Sequence, residues 1–418
     1  MENVATIARS SSADFTPNSR RLRIASVCKL LPTRAEPHRG VFVARRLSQL
    51  ATLADVRILQ PVPWFPLLRP RPNVGWTTDV DIPQSYRQRM FYLPGVMKNL
   101  DGRWLARSIL PVLARWRDET GIDLIDAHFG YPEGVGAVLA AERLGIPAFI
   151  TIRGNELVYL QNRSIRGQLL DAFSRARGII AVSNALRNAI GSAGVDLSKV
   201  RVIPNAVDRS QFFPASRDEA RELLNLPLHS PVVVSVGQLV EGKGHHVLVR
   251  AVERLRQDHP DVVLVIVGGQ AYEKQYPVRL RALIDELGLR STVKLVGPQP
   301  PNMVSQWLNA ADVFALCTLR EGCCNAVLEA LACGVPVVTT PVGDNEQYVD
   351  PPHSGYVVPP DSPDVTFDAL KRALSQTWDR RAISDRLGGE GWQGVAQAVL
   401  DFFHQQLNTP AHRSGSST

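Results

Sequence analysis

The segment REGCCNAVLEALACGVPVV, from Arg320 to Val338, carries two carboxylates, Glu321 and Glu329, separated by seven residues. An apolar run ends near Thr318, a loop follows, and a helix begins near Asn325. Glu321 is then on the loop and Glu329 one turn into the helix. Two carboxylates facing one ligand accept hydrogen bonds from vicinal hydroxyls, as in a sugar. The backbone N–H groups of Cys324, Asn325 and Ala326 would stand at the helix N-terminus, a ready site for a diphosphate. Lys243 lies in GQLVEGKG, Gly237–Gly244, directly after a Val-rich strand. That stretch matches most of a triphosphate-binding loop, but Gly244 replaces the hydroxyl residue that would hold Mg²⁺, which disfavours a nucleoside triphosphatase. His128 ends the apolar run Leu124–His128, where an imidazole can hydrogen-bond a hydroxyl. Asp79-Val80-Asp81 has the spacing of a metal-holding pair but lies in no predicted strand, so no metal is expected.

The elements that must position these residues follow a repeated rhythm. Predicted strands at Leu22–Cys28, Val56–Gln60, Leu124–His128, Phe149–Ile152 and Ile179–Ser183 alternate with amphipathic helices such as GVGAVLAAERLG, which ends at Gly145. The rhythm is interrupted at IPNAVDRSQFFP and then restarts. Strands are predicted at Val232–Val236, Val262–Val267, Val293–Val296, Val313–Leu316 and Val335–Thr339. The spacing predicts an α/β protein with two doubly wound Rossmann-like domains, residues 21–205 and 206–390, facing a central cleft. A helix over residues 391–407 is expected to pack back on the first domain. Residues 61–100, rich in Pro, Arg and aromatics, read as an irregular connection; as a lip, Trp64, Phe65, Leu67 and Leu68 beside Arg69 and Arg71 would suit an anionic membrane surface or a lipid-linked acceptor.

Composition narrows the function classes. Of the 418 residues 44% are hydrophobic and 21% charged, ordinary for a folded globular chain. The net charge of +7 suits an anionic small molecule and does not call for nucleic acid. The first twenty residues lack an apolar core and read as a disordered leader, as do the last eleven, 408–418. Five cysteines without metal spacing fit reduced thiols in a cytoplasmic protein, peripheral at most to the inner face of the plasma membrane. A Rossmann oxidoreductase is disfavoured because no GxGxxG follows the first strand.

On these residues the chain resembles the GT4-type retaining glycosyltransferases, which have the GT-B architecture. REGCCNAVLEALACGVPVVTTPVG resembles their signature block, VGQLVEGKGHHVLVRA their phosphate-binding turn and VIPNAVD their interdomain motif. RGVFVARRL, VPWFP, DAHFGYPEGVGAVLA and FITIRGNEL are similar to a bacterial branch that builds exopolysaccharide or teichuronic-acid-like polymers. The resemblance implies that Glu321 holds donor-sugar hydroxyls, Glu329 the ribose, Lys243 the diphosphate, and that His128 faces the donor sugar. It places Gly237, Gln238, Arg320, Gly322, Cys323, Cys324, Asn325, Ala326 and Asn205 at the donor, with Arg39 and Gly40 in the loop toward phosphate or acceptor. Three positions depart from the pattern: Gln238 replaces an Arg that pairs with the diphosphate, Ala206 replaces a Gly, and Gly343–Gln347 displaces a Glu. The implied activity is metal-independent transfer of a hexose, without a cofactor. It would run from a UDP- or GDP-sugar to a glycan or lipid-diphosphate-linked acceptor of a cell-surface polysaccharide. A nucleotide-sugar epimerase or hydrolase, or a degenerate sugar-binding protein on the same fold, remain alternatives.

Overall fold

A computed structural model describes residues 20–33, 36, 39–66, 72–77, 85–270 and 273–410. Asp79–Asp81, the leader up to residue 19 and Leu67–Arg71 of the aromatic segment lie outside the described residues.

The first sheet contains β1 (Arg23–Val27), β2 (Asp55–Trp64), β3 (Gly75–Thr77), β4 (Ser85–Phe91), β5 (Leu124–His128), β6 (Ala148–Ile152), β7 (Gly178–Ala181) and β8 (Val200–Val202). Their order is β3-β4-β2-β1-β5-β6-β7-β8, parallel throughout except for β3. The second sheet contains β9 (Val232–Val236), β10 (Val263–Val267), β11 (Val293–Gly297), β12 (Val313–Leu316), β13 (Val337–Thr339) and β14 (Gly355–Val357). Its order is β11-β10-β9-β12-β13-β14, and every pair is parallel. Helices cover both faces, so strands such as VVVSV and VLVIV read as unbroken apolar runs. In each sheet the strand order reverses at the first strand, β1 or β9, and the crevice beyond the carboxyl ends of the strands opens there. The two doubly wound domains of the sequence reading are thus present.

Residues 61–100 correct that reading, because much of the segment is sheet. β2 runs on to Trp64, and β4 lies parallel to it from Ile58↔Ser85 to Trp64↔Phe91. Pro61 and Pro63 conceal the strand but cost it nothing. The Leu59 carbonyl accepts from Cys28 N–H at 3.1 Å, so Leu59, Pro61 and Pro63 share the edge facing β1. β1 ends at Val27, paired with Leu59, so the missing proline N–H groups face a side with no strand. Trp76 of β3 stacks on Trp116, the rings 5.5 Å apart, and this anchors the outer edge.

The helix Gly391–Asn408 follows the last C-terminal element yet lies under the first sheet. Ala396, Val399, Leu400, Phe402 and Phe403 form one cluster with Ile24, Leu124, Phe149 and Ile180. Phe403 is fully buried with its ring 4.7 Å from that of Phe149. Phe403→Ala is expected to lower the free energy of unfolding by about 3–5 kcal/mol, read from urea melts, because a ring-sized void opens between helix and sheet. A loss below about 1 kcal/mol would mean that the helix is not part of this core.

Candidate functional site

Two loops at the carboxyl ends of β9 and β12 are braced against each other. After β9 the chain makes a single 3₁₀ turn, Glu241–Lys243, and then enters the helix His245–Asp258 through Gly244. Gly244 has φ 67°, and a Cβ there would overlap the Cys317 carbonyl at the end of β12, so only glycine seats this turn. The Gly242 carbonyl accepts from Thr318 Oγ1 at 3.0 Å and from Leu319 N–H at 2.8 Å. The brace delivers Lys243 Nζ onto Glu321 Oε1 as a hydrogen-bonded ion pair, with Thr318 Oγ1 3.3 Å from the same carboxylate oxygen. Beneath the turn, buried His245 contacts the Gln238 carbonyl at 3.2 Å; burial holds its pKa down at about 4, so the ring is neutral.

Beside this brace is a hollow of about 220 Å³. Gly237, Gln238, Asn325 and Glu329 line it from the second domain, and Val41, Phe42 and Arg45 from the first. Lys243 and Glu321 are not among its lining residues, but the Lys243 stem lies along Gly237, which is. Glu329 is half-buried, and burial pushes its carboxyl up to about 7 against the opposing pull of Arg45. Arg45, on the helix Val41–Leu53, is held by Gln211 and by Asp208 Oδ2 at 3.5 Å, both in the linker after β8. The sequence reading missed Arg45, although it stands inside the RGVFVARRL block.

The domains meet at glycines. A Cβ on Gly322 would overlap the Arg153 carbonyl, and one on Gly154 would lie 2.9 Å from the Gly322 nitrogen. Below this seam runs a chain of hydrogen bonds. Asn325 Oδ1 accepts from Asn205 Nδ2 at 2.9 Å, and Asn205 Oδ1 accepts from Arg153 Nη1 at 3.0 Å. Arg153 Nη2 donates to His128 Nδ1 at 3.2 Å, and His128 Nε2 lies 3.1 Å from both Asp126 Oδ2 and Ser26 Oγ. Arg153 has no lone pair to offer, so Nδ1 is the unprotonated nitrogen and the proton sits on Nε2, toward Asp126. Burial holds the His128 pKa down at about 4 despite Asp126, so the ring is neutral.

His128 therefore corrects the expectation that it faces a donor sugar. It is 0% exposed and both ring nitrogens are engaged, Nδ1 by Arg153 and Nε2 beside Asp126 and Ser26. Arg320 is exposed and is not part of the hollow. Arg39 turns away to Glu36 Oε2 at 2.9 Å, half in solvent. Gly40 caps the helix Val41–Leu53 with φ 70°, against the Leu30 carbonyl. At the helix Asn325–Ala332, the Asn325 N–H already donates to the Cys323 carbonyl at 3.1 Å, leaving the expected anion site one donor short. Cys324 is buried at the N-cap, Ala326 packs on the second-domain core, and Cys323 touches both cores. Asp344, from the departing Gly343–Gln347 block, reaches the other domain and accepts from Asn184 Nδ2 at 3.2 Å and Ala185 N–H at 2.9 Å. No sequence signal pointed to that cap.

Two such doubly wound lobes facing a cleft are the GT-B architecture. The fold is shared with sucrose-phosphate synthase from Thermosynechococcus elongatus (TM-score 0.75, 20% identity, 93% of this chain and 99% of that one). It is also shared with Anabaena Alr3699/HepE, solved with UDP-glucose (TM-score 0.66, 19% identity, 92% and 98%). Residues 40–211 match the family model described as Glycosyltransferase Family 4, and residues 216–386 that described as Glycosyl transferases group 1. The chain is 30% identical to the putative teichuronic acid biosynthesis glycosyltransferase TuaC of Bacillus subtilis, over 87% of this chain and 92% of TuaC. It is also 30% identical to a D-inositol 3-phosphate glycosyltransferase of Xylanimonas cellulosilytica, over 69% of this chain and 73% of the relative. The chain belongs to the family-4, group 1 glycosyltransferases.

Glu329 gives a test of the site's electrostatics that needs no substrate. A carboxyl whose folded pKa is raised stabilises the fold fully below its unfolded pKa and loses that contribution as pH rises through about 7. Glu329→Gln should therefore be more stable than wild type at pH 8, by on the order of 1 kcal/mol after allowance for solvent, with the gap closing toward pH 5. Equal melting curves at both pH values would place Glu329 in an ordinary solvated setting.

Proposed function

We propose that this enzyme is a retaining, metal-independent hexosyltransferase. It takes its sugar from a nucleotide-diphosphate donor, UDP- or GDP-linked, and passes it to a growing lipid-diphosphate-linked cell-surface glycan. The observation that carries the reading is the hollow that Gly237, Gln238, Asn325 and Glu329 line, adjoining the Lys243–Glu321 pair. Glu329 holds the ribose diol, Lys243 stabilises the charge that grows on the leaving diphosphate, and Glu321 holds sugar hydroxyls once the donor draws Lys243 off it. The linked domains exclude water, so the acceptor hydroxyl outcompetes hydrolysis. Retention of configuration rests on the family, and assistance to the acceptor's proton loss falls to the leaving phosphate oxygen. UDP-glucose in Alr3699/HepE and the teichuronic acid name of TuaC support the donor and acceptor classes.

A panel of nucleotide sugars screened by thermal shift, in EDTA, identifies the donor, since a ligand of the native state raises Tm. With that donor, Glu329→Ala should raise KM roughly 10–100-fold and Lys243→Ala should cut kcat by about 100-fold or more. Unchanged donor kinetics in both variants would remove the site assignment, and free sugar released without acceptor would favour a hydrolase.

The membrane part of the reading rests on an aromatic and basic rim at the carboxyl ends of β2 and β4. Phe91 stands between Phe65 and Trp104, at 6.1 and 5.1 Å, and Arg89 lies over Trp64 and Lys98 over Tyr92. Phe91, Val96 and Met97 are exposed beside them. Such a rim suits anionic headgroups. No helix among the described residues is long and apolar enough to cross a membrane. The protein should cosediment with vesicles rich in phosphatidylglycerol at low salt and come off at high salt. A protein left wholly in the supernatant at low salt would end this part of the proposal.

A further inference from the structure

A second hollow, of about 460 Å³, lies in the second domain at the end of the sheet away from the cleft. Pro231, Asp312 and Pro336, which immediately precede β9, β12 and β13, line it. The cleft site stands at the carboxyl ends of β9 and β12, so the five residues of β9, about 15 Å of strand, separate the two. The guanidinium groups of Arg217, Arg221 and Arg380 line this hollow together with His229 and His259. Asp312 is the one acidic residue of the lining among the described residues, and both of its oxygens are engaged. Oδ1 accepts from Arg217 Nη1 at 2.9 Å, and Oδ2 from Arg221 Nη2 at 2.7 Å and from the Val232 N–H at 2.8 Å.

Arg380 is held only by neutral oxygens. Its Nη groups donate to the Asn309 carbonyl at 3.1 Å, to Asn309 Oδ1 at 3.0 Å and to the Cys333 carbonyl at 3.0 Å. Its buried Nε has no hydrogen-bond partner among the described residues. Burial lowers its pKa, and the charges of Arg217 and Arg221 add to that effect against the pull of Asp312. Two further carboxylates are near in sequence and keep their charge, but both are exposed and neither lines the hollow. Asp218 meets Arg217 Nε at 3.4 Å, and Asp379 caps the helix Arg380–Arg386 through the N–H groups of Arg381 and Ala382. Arg217 Nη2 and the two imidazoles make no hydrogen bond among the described residues. Guanidinium forks and imidazoles on one wall match the oxygens of a phosphate. The volume is within the range of small-molecule sites, about 300–1,000 Å³, so a phosphate leaves room for an organic body beside Thr377 and Trp378.

We infer that this hollow is a second ligand site, for a phosphate monoester whose phosphate meets Arg217, Arg380 and the two histidines. The inference stands apart from the donor reading, because the two hollows share no lining residue. An occupant would still touch the donor side of the domain through Arg380. That guanidinium holds the Cys333 carbonyl at the C-terminal end of the helix Asn325–Ala332, where a cation suits the helix dipole, and Glu329 stands in the same helix.

Calorimetric titration of the full-length protein with glucose 6-phosphate, inorganic phosphate and glucose tests it. Glucose 6-phosphate should bind with a Kd below about 1 mM, inorganic phosphate at least about fivefold more weakly, and glucose not measurably. Arg217→Gln, at an exposed residue, should weaken the ester roughly 10–100-fold. Lys243→Ala, in the cleft, should leave it within about twofold. Ester binding that survives Arg217→Gln and is lost in Lys243→Ala belongs to the cleft and overturns the inference. So does the absence of binding by the ester up to about 10 mM. Equal affinities for ester and inorganic phosphate would overturn the ester in favour of the free ion. Should Arg217→Gln fail to fold, Thr377→Glu decides, since it adds a carboxylate to the exposed part of the lining and should abolish ester binding. An unchanged affinity in that variant would place the ester elsewhere and end the proposal.

Discussion

Two lobes that face one cleft can approach only as closely as their backbones allow. Here the limit is set where Gly322 meets the Arg153 carbonyl and Gly154 meets the Gly322 nitrogen. A side chain at Gly322 would hold the Glu321 loop away from the first domain, and the Arg153–Asn205–Asn325 chain below would lose its reach. Asn205 lies in the linker after β8, so the residue that joins the lobes covalently also joins them by hydrogen bonds. Asp344 repeats the device a short way off, as a carboxylate from one lobe capping the helix Asn184–Ser192 of the other, where a negative charge is favoured. At this seam the lobes are thus joined by close backbone approach and by polar contacts.

The same contacts explain why the site is costly to fold. A carboxyl at Glu329 whose charged form burial disfavours, and a guanidinium at Arg153 buried beside Arg46, are each destabilising taken alone. Burial and neighbouring Arg46 pull the Arg153 pKa down to about 9, still high enough to keep the cation at neutral pH. The Lys243–Glu321 pair is an ion pair in which each charge already has its partner. Preorganised charges that wait for a charged ligand are what electrostatic catalysis requires, and a loss of stability is the usual accompaniment.

Most of the architecture was legible because it rests on local signals. Val-rich runs, helices stopped by glycine and the restart after IPNAVDRSQFFP located both domains, and the helix at Asn325 begins where its pattern said it should. The failures share a physical origin in pairing between residues distant in sequence. Pro61 and Pro63 look like strand breakers until β1 is known to end beside Leu59, leaving their edge unpaired. His128 ends its strand at the anticipated place, but whether its ring meets solvent or Arg153 depends on a loop 25 residues on. Arg45 and Arg153 lie inside recognised blocks, yet nothing local says that one reaches the linker and the other Asn205. Position along the chain indicated the site's second-domain half; the first-domain half exists only once the lobes meet.

The terminal helix shows how far that dependence extends. Trp392, in its first turn, lines the hollow beside Arg45 and Glu329, while Phe402 and Phe403 near its other end are buried under the first sheet. The helix is covalently the end of the second lobe but energetically part of the first. It therefore moves with the sheet that carries Arg153, and its Trp392 end should shift against Glu329 whenever the lobes part. A hollow walled by Phe42 and Trp392 on one side and by Gly237 and Glu329 on the other takes its walls from both lobes. A ligand seated there would touch both lobes, so its contacts and those between the lobes would be gained together. The favourable contacts to the ligand have to offset whatever the separated lobes gained in freedom.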